Sequence, residues 1–420
     1  MRTPLDSPFS PGSDVVPQVW AGRARFLADW RDVLRPRRVA GIHERARTIL
    51  GEAGSGKSAL VRRIAQSARD QGDWVTEQIR IPAGGDPLKR VAEALLGLAA
   101  QAGLVVATEK RISAVLARVQ AVAVGGASVT FREAEGVEAY RALTELLIEL
   151  GRAAIARANT MVVVHVDEVQ NITDTNVLSQ LLVAFGDALA YEEPVKAPGG
   201  YEASRALPIA IYLTGLPEFL DMAGARVGAT FARRFQTGTL ESLDVESLVE
   251  ALYPFIFDGW EIADPDGGIR RISMEVPAAT NIIRYSCGEP FLFQLAGANA
   301  WYAGTGDVIT EEDVERGWAH AAPEAEAHVL RILERLPARE REFLEAMAAL
   351  PPQQRQLLTI AKALGYATSA KVGTTARRLE TQRGIIARGT QYRFTNQAVE
   401  AMLSSGWPYE APPLRNPHER

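Results

Sequence analysis

Apolar and polar positions along the chain alternate between two periodicities. Short strand-like runs occur at Arg47–Leu50, Trp74–Ile81, Met161–Val166, Pro208–Thr214 and Gln236–Leu240. The unbroken ones predict strands buried on both faces of a parallel sheet. Helical spacing lies between them, at Ser58–Asp70, Leu88–Ala100, Lys110–Ala123, Val137–Ala158 and Asn176–Tyr191, after an amphipathic opening at Phe26–Leu34. In Ser58–Asp70, Leu60, Ile64 and Ser67 share one face and Arg62, Arg63 and Arg69 another. Strands separated by helices predict a three-layer α/β/α domain with a parallel five-stranded sheet over residues 19–242. Two pieces interrupt it. VAVGGASVTF reads as a small hairpin or a loose loop, with Gly125-Gly126 leaning to the hairpin, and EEPVKAPGGYEASRA, from Glu192, reads as a loop by composition.

Beyond Leu243 the strand signals fade. Residues 243–336 predict a helical domain, with a turn at Pro265–Gly268 and a helix start at Gly288–Pro290. Residues 337–404 show three short helical patterns and then GIIARGTQYRFT, whose apolar runs flank Gly389-Thr390 as in a hairpin. Helices followed by a hairpin predict a winged helix-turn-helix. The ends, 1–18 and 405–420, are rich in proline and serine or proline and read as a flexible arm and a flexible tail.

Composition narrows the functional classes. A chain of 420 residues, 47% apolar and 23% charged, fits an ordinary globular protein of two or three domains. With 46 basic against 51 acidic residues, no global positive field favours nucleic acid or an anionic membrane, so any DNA contact must be local. Cys287 is the single cysteine, which fits a reducing cytoplasm and a buried small hydrophobe. The N-terminus lacks the features of a secretory signal, and the most apolar window, ALLGLAAQAGLVVA from Ala94, is too short to span a bilayer. A cytoplasmic protein without a membrane helix is expected.

The candidate chemistry sits at two places. Gly51, Glu52, Ala53, Gly54, Ser55, Gly56, Lys57 and Ser58 complete the GxxxxGK[ST] pattern between a strand and a helix, with Ala59 next in the helix. Such a loop points backbone N–H groups and a helix N-terminus at a phosphate. Lys57 is then expected to bridge β- and γ-oxygens, and the Ser58 hydroxyl to join the Mg²⁺ shell. The second place is VVVHVDEVQNI, where Asp167 and Glu168 follow a buried strand. Asp167 is the expected water-mediated Mg²⁺ anchor and Glu168 the expected general base. Thr214 ends its strand either as a polar group reaching the γ-phosphate or lytic water, or as a simple strand cap. Arg233 and Arg234 read as an arginine finger for a neighbouring subunit or as a solvated helix end. His165 reads as a packed core imidazole without a role.

The order of these parts resembles the AAA+ superfamily, closest to its origin-recognition-like and STAND-type ATPases, over most of the chain from VWAGRARFLADW onward. The resemblance implies that Gly22-Arg23 lies near adenine, that Gly51–Ser58 and Val162–Glu168 are the Walker A and B motifs, and that Thr214 holds the sensor 1 position. It also implies that Gly288 and Pro290, in CGEPFLFQLAG, belong to a lid motif near base and ribose. Many AAA+ motors carry asparagine at sensor 1 and arginine at sensor 2. Thr214 and the GEP segment, which offers no arginine, depart from that and imply a slow ATPase or switch rather than a fast motor.

From Lys371 to Leu403, Lys371, Arg377, Arg378, Arg383, Arg388 and Arg393 face only Glu380 and Glu400. A basic helix and wing suit double-stranded DNA, although winged helices also serve protein contacts. The leading expectation is thus a protein that binds ATP and Mg²⁺ and hydrolyses slowly to drive a conformational or assembly switch, with a nucleotide-dependent homo-oligomer as one form of it. The alternatives are a DNA-binding initiator-like or mobile-element regulator, and a STAND-type nucleotide switch with little turnover; ATP or ADP, and a protein partner, are the other expected partners.

Overall fold

Ala46–Leu50 (β1) is buried at every position and opens the central sheet. It is joined by Trp74–Val75 (β2), Ile79–Arg80 (β3), Val162–Asp167 (β4), Ile209–Gly215 (β7) and Phe235–Thr239 (β8). A separate pair, Glu192–Lys196 (β5) and Glu202–Ala206 (β6), forms an antiparallel ladder. In the computed structural model, which describes residues 2–12, 15–104, 139–196, 202–264 and 267–412, the main sheet runs in the order β2-β4-β7-β1-β8, with β3 also on β4. All its pairings are parallel. β4 and β7 are buried along their whole length, as expected for strands covered on both faces.

Two sequence expectations change here. Trp74–Ile81 is not one strand but two, because the pairing with β4 lapses between Thr76, whose N–H still donates to Val163, and Ile79, and the sheet therefore has six strands by count. Within the segment from Glu192, read as a loop, Glu192–Lys196 and Glu202–Ala206 form a two-stranded antiparallel ladder in which Val195 opposes Ala203. The expected helix Lys110–Ala123 and the VAVGGASVTF piece lie outside the described residues.

The chain divides into two compact units: Arg23–Leu50 with Leu60–Thr239, and Met1–Gly22 with Gly51–Ala59 and Leu240–Arg420. The first holds the sheet and its helices, Pro87–Gln101, Ala139–Ala156, Thr175–Ala190 and Phe219–Arg234. Asp86 and Asp174 start two of them by accepting hydrogen bonds from backbone N–H groups of the first turn. Helix and sheet approach closely at Gly151, where a Cβ would stand 3.0 Å from Ile209 and Leu207.

In the second unit, helices Val245–Tyr253, Val276–Ser286, Pro290–Ala303 and Glu311–Glu334 are accompanied by three strands that the sequence reading left out. Trp260–Ala263 (β9) pairs antiparallel with Ile269–Met274 (β10), and Val308–Ile309 (β11) runs parallel to β10. The strands are four, six and two residues long, too short for their alternation to stand out against helical periodicity. Helices Ala338–Ala348, Leu357–Ala363 and Gly373–Thr381 lead to the hairpin of Ile386–Ala387 (β12) and Arg393–Phe394 (β13), then helix Gln397–Ser404. Residues on both sides of Pro337 share one buried cluster, from Leu248 and Ile282 through Phe343 to Phe394.

Among the described residues, parts of both end segments that composition reads as loose are packed. Phe9 is buried, stacked on Phe255 at 5.5 Å and edge-on to Phe293 at 6.2 Å. Arg2 forms a buried ion pair with Asp313 at 2.7 Å. Trp407 is buried beside Trp318, and its Nε1 donates to the Tyr285 carbonyl at 3.0 Å. One buried aromatic side chain yields about 1.5–3 kcal/mol, enough to anchor a short segment whatever its proline content.

Candidate nucleotide site

β1 ends at Leu50 and the glycine-rich loop follows at once. Gly54 and Gly56 hold φ of +83° and +84°, a left-handed backbone that costs glycine nothing. Space is as restrictive as angle. A Cβ on Gly51 would meet Ser55 Oγ at 2.6 Å, and one on Gly54 would meet Glu289 Oε1 and the His328 ring at 2.7 Å. The loop closes on itself: Ser55 N donates to the Glu52 carbonyl at 3.2 Å, and Lys57 Nζ donates to the carbonyls of Gly51 and Glu52, each at 2.8 Å. Ser58 follows in the first turn of the helix Lys57–Asp70, and Ala59 after it.

The same unit brings the GEP segment against this loop. Phe291 N donates to the Gly54 carbonyl at 3.2 Å, and Pro290 lies 3.7 Å from where a Gly56 Cβ would be. Gly288 accepts from Leu243 N at 2.6 Å. Glu289 pairs with His328 at 2.6 Å, both buried, while its second oxygen makes no hydrogen bond among the described residues. Arg335 pairs with Glu52. Glu289, His328 and Arg335 were missed by sequence reasoning, although Glu289 is the middle residue of the GEP segment. Gly54→Ala combines a strained φ with a clash on a buried pair, and we expect it to cost more than about 1 kcal/mol, read as a lower urea midpoint at unchanged slope.

In the sheet unit, Asp167 closes β4 and is nearly fully buried. Its Oδ1 accepts from Thr214 Oγ1 at 2.5 Å and from Glu168 N at 2.9 Å, and its Oδ2 accepts from Gln78 Nε2. Gln78 in turn accepts from Arg62 Nε at 2.8 Å. The break between β2 and β3 is what frees Gln78 for this contact. Thr214, wholly buried, spends its hydroxyl on Asp167 and faces His165 Nε2 at 2.9 Å. Glu168 has φ of +61°, uncommon for a residue with a side chain, and its carboxylate accepts from Gln170 Nε2. Gln170 also accepts from Leu216 N at 3.0 Å, tying the β4 and β7 exits together.

The register sets these strand ends level. Leu50 is the partner of Gly215 and Val166 of Leu213, so β1, β7 and β4 finish on one edge of the sheet. Of the other expected site residues, Gly22 packs on Leu243, the residue that donates to Gly288. Gly22 accepts from Trp20 Nε1 at 2.9 Å, and Arg23 precedes helix Ala24–Ala28 with φ of +66°. Arg233 and Arg234 end their helix; Arg233 is exposed, while Arg234 is paired with Asp187 at 2.8 Å. Among the described residues no helix is long and apolar enough to cross a membrane.

The family model of the AAA ATPase domain matches residues 19–195. A Walker-type ATPase of Pyrococcus abyssi superposes on 91% of this chain and 96% of its own, with a TM-score of 0.53 at 13% identity. The ORC2 protein of Aeropyrum pernix, solved in ADPNP-ADP complexes, does so over 94% and 95%, with a TM-score of 0.52 at 16% identity. No curated protein matches the chain significantly. At these identities the likeness is one of fold. With the glycine loop after β1, the acid pair after β4 and a parallel sheet that sets their strands level, residues 19–195 are similar to the AAA ATPase domain, and the fold of the chain is similar to that of the Walker-type ATPase and the ORC2 protein.

Proposed function

We propose that this protein binds MgATP, with the Gly51–Ser58 loop as its phosphate loop and Asp167 as its metal anchor, and hydrolyses it slowly to drive a conformational or assembly switch. The observation that carries this reading is the common edge on which β1, β7 and β4 end, with Asp167 locked by three hydrogen bonds beside it. A hard divalent cation takes oxygen ligands, and the Ser58 hydroxyl and Asp167 carboxylate are of that class. When bound, Mg²⁺ neutralises charge on the transferring phosphoryl group. The chain's own residues do the rest: loop N–H groups and Lys57 hold the phosphates, and Glu168 takes a proton from the attacking water. Its left-handed backbone is the kind of strain that persists at working sites.

What stands against the loop supports slow turnover. Glu289 and His328 stand against Gly54, and a carboxylate there adds no positive charge for the transition state. A neighbour's Arg233, exposed at its helix end, supplies that charge on assembly more readily than Arg234, which is tied to Asp187. Isothermal titration calorimetry with MgATP tests the reading; no heat in the wild type would overturn it.

A second reading, DNA binding, is favoured by one feature. Helices 338–348, 357–363 and 373–381 followed by β12 and β13 have the order of a winged helix-turn-helix, and Lys371, Arg377, Arg378 and Arg393 are exposed there. Arg383 and Arg388 are instead engaged by Glu340 and Glu380. We expect fluorescence anisotropy with duplex DNA to show salt-dependent binding, and Arg377→Ala with Arg378→Ala to lower the salt slope by about 2. Salt-independent or absent binding would assign this surface to a protein partner.

A further inference from the structure

His165 is the one polar side chain before Asp167 in β4, and it is buried between Val164 and Val166. Alternation along parallel strands puts His165 and Asp167 on one face of β4, with Thr214 of β7 on the same face beside them. The distances then decide who donates. Thr214 Oγ1 is 2.5 Å from Asp167 Oδ1 and 2.9 Å from His165 Nε2. A hydroxyl carries one proton and an ionised carboxylate only accepts, so the threonine proton goes to Asp167. His165 must therefore donate from Nε2, and the chain of donation runs His165 to Thr214 to Asp167.

We propose that His165 is a positioning residue for ATP turnover: by donating to Thr214 it commits that hydroxyl to Asp167 and fixes the carboxylate's orientation at the metal position. The inference rests on the ATPase reading above. Without the imidazole, the Thr214 hydroxyl is free to turn to another staggered position and to donate elsewhere, leaving Asp167 held by Glu168 N and Gln78. The role is invisible to periodicity, which registers His165 only as a break in an apolar run.

The test uses the full-length protein. His165→Leu keeps the bulk and removes both ring nitrogens, whereas His165→Gln retains an amide donor in nearly the same place. Saturating MgATP turnover is expected to fall about 10-fold in His165→Leu with KM within about twofold, the size typical of losing an outer partner of a metal ligand. His165→Gln is expected to recover most of it. The double variant His165→Leu/Thr214→Val should be no slower than Thr214→Val alone, because His165 acts through Thr214. Ring ¹⁵N chemical shifts of His165 should show a protonated Nε2 irrespective of turnover. Additive losses in the double variant, no rescue by glutamine, or an unprotonated Nε2 would each overturn the proposal. A wild type that turns over no ATP would instead sink the ATPase reading, whereas a working wild type with His165→Leu unchanged would sink this inference alone.

Discussion

Glu168→Gln is expected to slow phosphate release by about 10²–10⁴-fold while leaving MgATP affinity within a few-fold of wild type. The substitution is nearly isosteric, so Gln170 still finds an oxygen to donate to, and the left-handed backbone at this position is kept. What is lost is the ability to take a proton. Glu168 lies next to Asp167 but differs from it in setting: Asp167 is almost fully buried and bound by three donors, whereas Glu168 is partly exposed. That division suits an anchor and a base. Single-turnover measurement of phosphate release, alongside calorimetry of binding, checks both halves of the expectation. Equal, appreciable rates in wild type and variant would remove Glu168 from the chemistry, and a parallel loss of binding would point to a structural role instead.

The parts of this picture that a sequence displays are those built from local patterns. The glycine loop was legible because Gly51, Gly54, Gly56, Lys57 and Ser58 stand at fixed spacing, and β4 because Met161 to Val166 is apolar but for one residue. The sheet class followed from those strands and the helices between them. What escaped depends on partners far along the chain. Phe9 finds a slot beside Gly297 that admits no side chain, so a segment with disordered composition is laid down as core. Gln78 reads as one polar residue in a strand until the ladder breaks and hands its amide to Asp167. Glu289 and His328 meet only because two helices fold together over Gly54, and no spacing encodes that. Thr214 was expected to reach toward phosphate or to cap a strand; its hydroxyl goes to the neighbouring carboxylate.

Lys57→Ala is expected to abolish measurable MgATP binding and to reduce turnover by at least about 10²–10³-fold, the loss typical of one preorganised donor at developing charge. The wild-type ammonium sits between two carbonyls of its own loop, Gly51 and Glu52, at 2.8 Å each. Those are neutral acceptors, and hydrogen bonds to charged acceptors are roughly twice as strong, so a triphosphate competes for the same group with little rearrangement of the backbone. Removing the ammonium leaves Gly54 and Gly56 in place, and the fold of the loop should survive. Thermal unfolding separates the possibilities: ligand at 100 times its dissociation constant stabilises the wild type by about 2.7 kcal/mol, and that shift should vanish in the variant while its ligand-free stability stays close to wild type. Lys57→Arg keeps the charge but substitutes a planar fork for a compact point charge, so it is expected to regain part of the binding and little of the turnover. A full ligand-induced shift in Lys57→Ala would mean that the triphosphate is held somewhere other than the glycine loop.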